Sequence, residues 1–144
     1  DGRIDCLINN GNSPNGIVLD PKDKVLFVAM TRANCMWHAP LKPGGGVAKV
    51  GVFALLPGMH GPDGLAMDEA GNLLVAHPRV RIIWLFDPIG APILQIHGKS
   101  KNSRMTNMAY GGADRKTLYI VDSYSGEVLT AKMPVAGKVL YSHT

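Results

Sequence analysis

The sequence has very few cysteines and no long apolar run, and both absences narrow the class of protein. Only Cys6 and Cys35 occur, and they form neither a CxxC pair nor a Cys/His cluster with zinc-binding spacing. We therefore expect two unpaired thiols, which weakly favours a reducing compartment and hence the cytoplasm over the periplasm. No apolar stretch approaches the roughly 18 residues of a membrane span, so no membrane partner is expected.

Dense charge of one sign is also missing from the chain. Fifteen Lys and Arg residues outnumber eleven Asp and Glu residues, which gives a formal net charge of +4. The basic residues are scattered, and only Lys99, Lys101 and Arg104 lie close together in sequence. Such a short run is typical of a solvated loop, and the sequence therefore predicts no nucleic-acid partner.

Turn-forming residues are abundant. The 144 residues include 17 Gly and 10 Pro, and 46% of the chain is hydrophobic, which is enough for a folded core. No stretch combines helix caps with an apolar period of about 3.6 residues, whereas short apolar runs alternate with turn residues throughout the chain. These patterns predict an all-β fold.

Three segments of the chain repeat at intervals of about 45 residues. They open with the sequences SPNGI, GPDGL and RMTNM, and we take Asn15, Asp63 and Asn107, which are 48 and 44 residues apart, as their equivalent anchor residues. The apolar run that follows ends in each segment at an equivalent residue, namely Met30, His77 and Asp122. Each segment divides into four short strands, and four antiparallel strands in such a repeat form a β-propeller blade. The sequence thus predicts three four-stranded blades, at residues 13–58, 59–103 and 104–144.

Two expectations concern the residues outside the best-matched strands. Residues 1–12 are expected to give, through positions 3–8, the outer strand of a preceding blade, and residues 139–141 the fourth strand of the last blade. Three blades cannot close a ring, and the open blade faces would expose apolar surface. We therefore expect the chain to dock against an N-terminal half of the same propeller or against a second copy of itself.

The repeat also predicts which polar side chains meet. The first strand of each blade lies beside the central channel, and the second strand is antiparallel to it, so the start of one adjoins the end of the other. One end of the channel, which we call the channel mouth, should therefore gather Asn15, Asp63, Asn107, His77 and Asp122.

Structural roles are the alternative for each of these residues. Asn and Asp before Gly are often turn formers, because their side chains hydrogen-bond to the local backbone. His77 and Asp122 could serve only in hydrogen bonds between strands. His60, which directly precedes the second repeat, could reach a substrate or remain in an exposed loop.

At these motifs the sequence resembles the gluconolactonase/regucalcin/luciferin-regenerating-enzyme family of calcium-dependent propellers. The resemblance rests on SPNGI, on GPDGLAMD with GNLLVA, and on TNMAYGG running into KTLYI, and it covers nearly the whole chain. It implies that residues 1–144 form the C-terminal half of one six-bladed propeller. It also implies one divalent cation at the channel mouth, held by Asn15, by Asp63 and by a Glu from an N-terminal half.

The chemistry that this resemblance implies is hydrolysis of a sugar lactone or a related cyclic ester. Oxygen ligands favour calcium, with magnesium, manganese or zinc as alternatives. Asp63 would be both metal ligand and general base, and substrate contacts would come from Asn107, His77, Asp122 and His60. The alternatives are a non-catalytic propeller that binds a metal or a partner, and a different chemistry on the same scaffold.

Overall fold

The computed structural model describes residues 2–141, which form three antiparallel β-sheets with two short 3-10 helices between strands. The first sheet contains β1 (Pro14–Leu19), β2 (Val25–Met30), β3 (Cys35–Pro40) and β4 (Gly51–Leu55). The second contains β5 (Leu65–Met67), β6 (Leu73–His77), β7 (Ile82–Phe86) and β8 (Pro92–His97). The third contains β9 (Met105–Gly111), β10 (Thr117–Asp122) and β11 (Glu127–Lys132). The sheets lie within the three predicted units, and the all-β blade architecture is confirmed.

Aspartates close the turns between neighbouring strands. The Oδ1 atom of Asp20 accepts the backbone N–H groups of Lys24 and Val25, at 2.6 and 2.8 Å. Asp68 and Asp87 do the same in the second blade, each accepting two backbone N–H groups. Each aspartate side chain accepts hydrogen bonds from backbone N–H groups that have no backbone acceptor in the turn, which is why Asp is favoured there.

The second blade is covered on both faces, and its sequence reflects this. Along β6, Leu73 and Val75 pack in a cluster with the first blade, whereas Leu74 and Ala76 pack in a cluster with the third. All four side chains are fully buried. A strand buried on both faces reads as a continuous apolar run, and the sequence LLVA is such a run.

The third blade has one open face. In β10 the buried residues Leu118 and Ile120 alternate with Tyr119 and Val121, which are both 43% exposed. Only one face of this strand therefore packs against a neighbouring blade within the described part of the chain. Docking of this exposed face against an N-terminal half or a second copy stays a prediction, because nothing in the described part of the structure identifies what covers the face.

The strand expected at residues 3–8 is not formed, which corrects the sequence-based expectation. Residues 2–13 contain no strand, and residues 5–8 lie along a face of the first blade beside Leu26, Val28 and Met30. A strand needs a neighbouring strand for its backbone hydrogen bonds. Residues 3–8 have no neighbouring strand of this kind among the described residues 2–141.

The fourth strand expected at residues 139–141 is likewise not formed, and the third sheet has three strands. The C-terminal segment, residues 133–140, crosses to the second blade instead. Glu69 donates its backbone N–H to the carbonyl of Ala136, and Lys138 donates to the carbonyl of Met67, both at 2.9 Å. The buried side chain of Lys138 also forms an ion pair with the exposed carboxylate of Asp23 in the first blade. The segment satisfies its backbone groups there and ties the three blades together.

No helix in the described range of 2–141 has the length and apolar character needed to cross a membrane.

Candidate metal and substrate site

The starts of the three inner strands meet at the channel mouth. The N–H of Gly16 donates to the carbonyl of Asp63 at 3.1 Å, and the N–H of Gly64 donates to the carbonyl of Thr106 at 2.9 Å. These bonds place each repeat motif directly beside the next. The structure therefore places Asn15 beside Asp63, as the repeat predicts, but it places Thr106 and not Asn107 at the equivalent position of the third blade. Thr106 lines the same cavity as Asp63, and Asn107 lies one residue further along β9.

Two glycines make this approach of the blades possible. A Cβ atom added to Gly16 would lie 2.4 Å from the carbonyl oxygen of Asp63. One added to Gly64 would lie 2.3 Å from Oδ1 of Asn107. Real Cβ contacts are longer, so a side chain at either position would push two blades apart. The Asx-Gly pairs are thus needed for contact between blades and do more than form turns.

The inner strands are irregular at the mouth. The β1–β2 register shifts between Pro14 and Ile17, which is the stretch that contains Asn15. The β9–β10 register shifts between Val121 and Asp122, so that Thr106 has no partner in β10. Bulges re-aim side chains and often occur beside functional sites. Because of these bulges, the side chains at the mouth do not follow the regular alternation between the two faces of the strand.

Asn15 and Asp63 are neighbours across the first two blades. Burial raises the pKa of Asp63, and a hydrogen bond from the Asn15 side chain partly opposes this rise. The Asn15 amide also donates to Oγ1 of Thr31 at 3.4 Å, and Thr31 donates to the carbonyl of Pro62 at 2.7 Å. The amide nitrogen of Asn15 and the half-buried carboxylate of Asp63 are thus held close together.

A cavity of about 800 Å³ opens at the mouth. Asp63, Thr31 and the loop at residues 58–62 line it, together with three arginines, Arg32, Arg79 and Arg104. Its volume lies within the range of about 300–1,000 Å³ that small-molecule sites occupy.

His60 lies on the wall of this cavity. Its backbone φ is +69°, a left-handed conformation that is uncommon for any residue except glycine. Backbone strain of this kind clusters at binding sites, although it is also found in turns. The position of His60 is compatible with the predicted substrate contact, which stays a prediction.

His77 lies beneath the same loop and has no exposed surface. Its Nδ1 accepts the indole N–H of Trp84 at 3.4 Å, so its Nε2 carries the proton that is shared with the Met59 carbonyl at 3.3 Å. Burial lowers the pKa of His77, and the hydrogen bond to Met59 opposes this shift. These contacts favour a structural role, in which His77 anchors the loop that carries His60.

Asn107 is exposed but does not line the cavity, and its Oδ1 accepts the N–H of Met108 at 2.9 Å. Asp122, in contrast, is only 1% exposed. Its Oδ1 accepts backbone N–H groups of Arg104, Tyr124 and Ser125, at 2.8, 3.3 and 3.4 Å. The placement of Asp122 favours the structural alternative, and substrate binding by either residue stays a prediction.

Asp122→Ala is expected to destabilise the fold by about 1–3 kcal/mol, because buried backbone N–H groups lose their acceptor. Burial opposes ionisation of Asp122, but the backbone N–H donors outweigh it, so the pKa lies below its usual range. A lowered folded-state pKa stabilises the fold above the unfolded-state value, and this contribution is lost as the pH falls through the folded-state value. Urea unfolding of wild type and Asp122→Asn should therefore differ at neutral pH and converge in acid. An equal difference at both pH values would contradict this role.

Several residues at the mouth were not predicted from the sequence. Thr31 and Arg32 follow the end of β2, Pro78 and Arg79 follow the end of β6, and Ser123 follows the end of β10, and all five line the cavity. The repeat placed the last residue of each of these strands at the mouth, but the side chains of those residues are buried. The signal was present one or two positions further along each repeat.

The mouth suits a hard cation in part. In the described stretch of the chain, no three His, Cys, Asp or Glu side chains come together as a complete metal site. Asn15 and Asp63 supply two oxygen donors, which are the ligand type that calcium and magnesium prefer. Asp63 forms no ion pair with any described residue, so a bound cation would offset the burial of its charge. The residues present thus fit part of a calcium site.

Comparison with known proteins adds relatives and solved structures. The chain is 28% identical over 159 aligned positions to the diisopropyl-fluorophosphatase of Loligo vulgaris, covering 99% of the chain and 50% of that protein. The calcium-binding protein regucalcin from Agrobacterium tumefaciens matches with a TM-score of 0.77 and 22% identity, over 97% of the chain and 52% of its own length. A gluconolactonase from Xanthomonas campestris matches with a TM-score of 0.73 and 22% identity, over 88% and 40%.

These two structures share the propeller fold with the chain, which spans about half the length of the proteins that it matches. A family model adds a match at the level of sequence. The model of the SMP-30/gluconolactonase/LRE-like region matches residues 1–124, which include the first two repeat motifs and the third as far as the end of β10. The chain therefore belongs to the SMP-30/gluconolactonase/LRE-like family.

Proposed function

We propose that this chain carries part of the site of a metal-dependent hydrolase that opens a sugar lactone or a related cyclic ester. The observation that supports this proposal most directly is the hydrogen bond between the side chains of Asn15 and Asp63, beside a cavity of suitable size that Asp63 lines. The similar proteins include a gluconolactonase and a diisopropyl-fluorophosphatase, and these names support a hydrolase.

Asp63 is the proposed general base and a metal ligand. It is the only carboxylate that lines the cavity within the described residues, and we assign to it the proton taken from water at neutral pH. Asn15 would be the second metal ligand, and its contact with Thr31 would fix its side chain. A bound cation, calcium first and magnesium, manganese or zinc as alternatives, would polarise the lactone carbonyl.

The remaining residues at the mouth would bind the substrate. His60 lies on the cavity wall, Asn107 is exposed beside Gly64, and both could donate to ring hydroxyl groups. His77 and Asp122 would act from beneath, by holding the loop and the strand ends that carry the contacting groups. Water exclusion would need a wall opposite the three blades.

That wall is proposed to come from an N-terminal half of the propeller, or from a second copy of the chain. The same partner would cover the exposed face of β10. Analytical ultracentrifugation and an intact mass of the natural protein distinguish the two arrangements. The structure contains Cys6 and Cys35 as free thiols, in keeping with the proposed cytoplasmic location.

Calcium titration by calorimetry, combined with a lactone-hydrolysis assay on the natural protein, tests the proposal. We expect hydrolysis to disappear with a chelator and to return when calcium is added back. Calcium binding without turnover of any lactone would favour a non-catalytic propeller that binds a metal or a partner. Turnover that is unaffected by chelation would contradict metal dependence.

Asn15→Ala is expected to weaken calcium binding by about tenfold or more and to leave turnover largely intact at saturating calcium, because an oxygen ligand is lost while the base remains. Calorimetry gives the affinity, and the assay at increasing calcium concentration gives the turnover. Asn102→Ala is a matched control, since Asn102 is exposed and lies outside the cavity lining. An unchanged calcium affinity in Asn15→Ala would remove Asn15 from the metal site.

A further inference from the structure

Two arginines occupy equivalent positions on neighbouring blades. Arg32 is the second residue of the 3-10 helix Thr31–Ala33, which follows β2, and Arg79 is the second residue of the 3-10 helix Pro78–Val80, which follows β6. Because the helices repeat with the blades, both arginines reach the same cavity from adjacent sides. The arrangement is therefore built into the fold at two successive repeats.

A third arginine reaches the cavity from the last blade. Arg104 is half-buried, lies 5.8 Å from the centre of the Tyr124 ring, and donates from its guanidinium to the carbonyl of Ser103 at 2.7 Å. These contacts hold the side chain in place but do not neutralise its charge. Arg104 is thus a fixed cation at the edge of the cavity.

The positive charge at the cavity has little local compensation. Among residues 2–141, no carboxylate forms an ion pair with Arg32, Arg79 or Arg104, although five other cationic side chains are paired. Asp63 is the single carboxylate on the described cavity wall, against three guanidinium groups. A bound divalent cation would add further positive charge. A neutral ligand would leave this field unused, whereas an anionic one would be attracted to it.

We propose that the substrate of this site carries a second, anionic group, a carboxylate or a phosphate, which Arg32, Arg79 and Arg104 bind at the cavity rim. The guanidinium fork pairs with two oxygens of either group at once, and this makes arginine selective for them. This inference rests on the proposed lactone hydrolysis and adds the class of lactone. The selecting residues are specificity residues and take no part in bond breaking.

The proposed reaction leaves the anionic group unchanged. Water adds to the acyl carbon of the lactone, the bond between that carbon and the ring oxygen breaks, and the ring oxygen takes up a proton. The product is an open-chain hydroxy acid with two anionic groups at neutral pH, and one proton is released to solvent.

Matched pairs of lactones test the inference on the natural protein with calcium. D-Glucaro-1,4-lactone differs from D-glucono-1,4-lactone by its carboxylate, and 6-phosphoglucono-1,5-lactone differs from glucono-1,5-lactone by its phosphate. We expect kcat/KM to be at least about tenfold higher for the anionic member of one pair, mainly through KM, because charged hydrogen bonds are added. The pair that shows the difference identifies the anion as carboxylate or phosphate.

The arginine variants give the second measurement. Arg32→Gln and Arg79→Gln should each lower kcat/KM for the preferred anionic lactone by about tenfold and change that for its neutral partner less than about twofold. Lys22→Gln removes the same charge at the β1–β2 turn, away from the cavity lining, and should change neither. Added salt should reduce the preference for the anionic lactone in wild type and have little effect in the double variant Arg32→Gln/Arg79→Gln.

Each failure has a separate meaning. Equal kcat/KM for both members of each pair, with no effect of the arginine variants, overturns the inference and leaves lactone hydrolysis standing. If no lactone is hydrolysed, the proposed function fails, and calorimetry with glucarate, 6-phosphogluconate and gluconate tests the anion site directly. Tighter binding of glucarate or 6-phosphogluconate than of gluconate, lost in Arg32→Gln/Arg79→Gln, supports the site, and equal binding of all three overturns it.

Discussion

Asp63→Asn in the natural protein should lower kcat for lactone hydrolysis by about 10²–10⁴-fold, which is the usual contribution of a positioned base. The change keeps the size of the side chain and one oxygen donor but removes the group that accepts a proton. Asp63→Ala should abolish turnover, since it removes the metal ligand as well. Initial rates at saturating substrate and calcium give kcat, and circular dichroism checks that the variants fold.

Asp87→Asn is the matched control for this experiment. It makes the same change of carboxylate to amide in a turn of the second blade, where Oδ1 accepts the N–H groups of Ile89 and Ala91. An amide oxygen can still accept these bonds, so activity should remain near that of wild type. If folded Asp63→Ala retained activity, Asp63 would be neither the base nor an essential ligand, and another proton acceptor would have to be found in the rest of the protein.

Gly16→Ala should disrupt the site without changing any polar side chain. The added Cβ would lie 2.4 Å from the carbonyl oxygen of Asp63 and 2.8 Å from the backbone nitrogen of Leu65. Both neighbours are backbone atoms, so β1 and β5 must separate for the methyl group to fit. We expect a loss of about 1–3 kcal/mol in the free energy of unfolding. Displacement of Asp63, the proposed base, by about 1 Å should reduce kcat about 100-fold.

Gly44→Ala is the control for Gly16→Ala. Gly44 lies in the loop between β3 and β4, and an added Cβ would meet no described atom within 4 Å. Urea unfolding and calcium calorimetry on both variants separate the effect of position from that of the substitution. Wild-type stability and calcium affinity in Gly16→Ala would show that the two blades do not need this close contact.

The repeat and the turns could be predicted from sequence because they depend on local chemistry. The side chains of Asp20 and Asp87 close turns by accepting backbone N–H groups a few residues later, and the alternation of apolar runs with turn residues marks the strands. The meeting of Asn15 with Asp63 also follows from repetition, because equivalent positions on adjacent blades must lie side by side. These features require no knowledge of long-range packing.

Burial at the channel mouth could not be predicted in the same way. His77 and Asp122 occupy the predicted position in their blades, yet their side chains turn inward to Trp84, Met59 and backbone N–H groups. The direction of a side chain at a strand end depends on local bulges and on the loop above it. Arg32 and Arg79, which lie two positions after the ends of β2 and β6, could not be predicted as cavity residues for the same reason.

The sequence by itself determined the blade architecture, the family and the proximity of Asn15 to Asp63, since each follows from short motifs at a constant spacing. Only the tertiary structure decided the path of residues 133–140 and the three cations at the cavity. The C-terminal segment bonds to the second blade instead of extending the third sheet, because Glu69 and Met67 offer it backbone partners there. Which of two sets of hydrogen bonds forms depends on how close the chain segments lie in the folded protein. The spacing of motifs along the sequence does not give those distances.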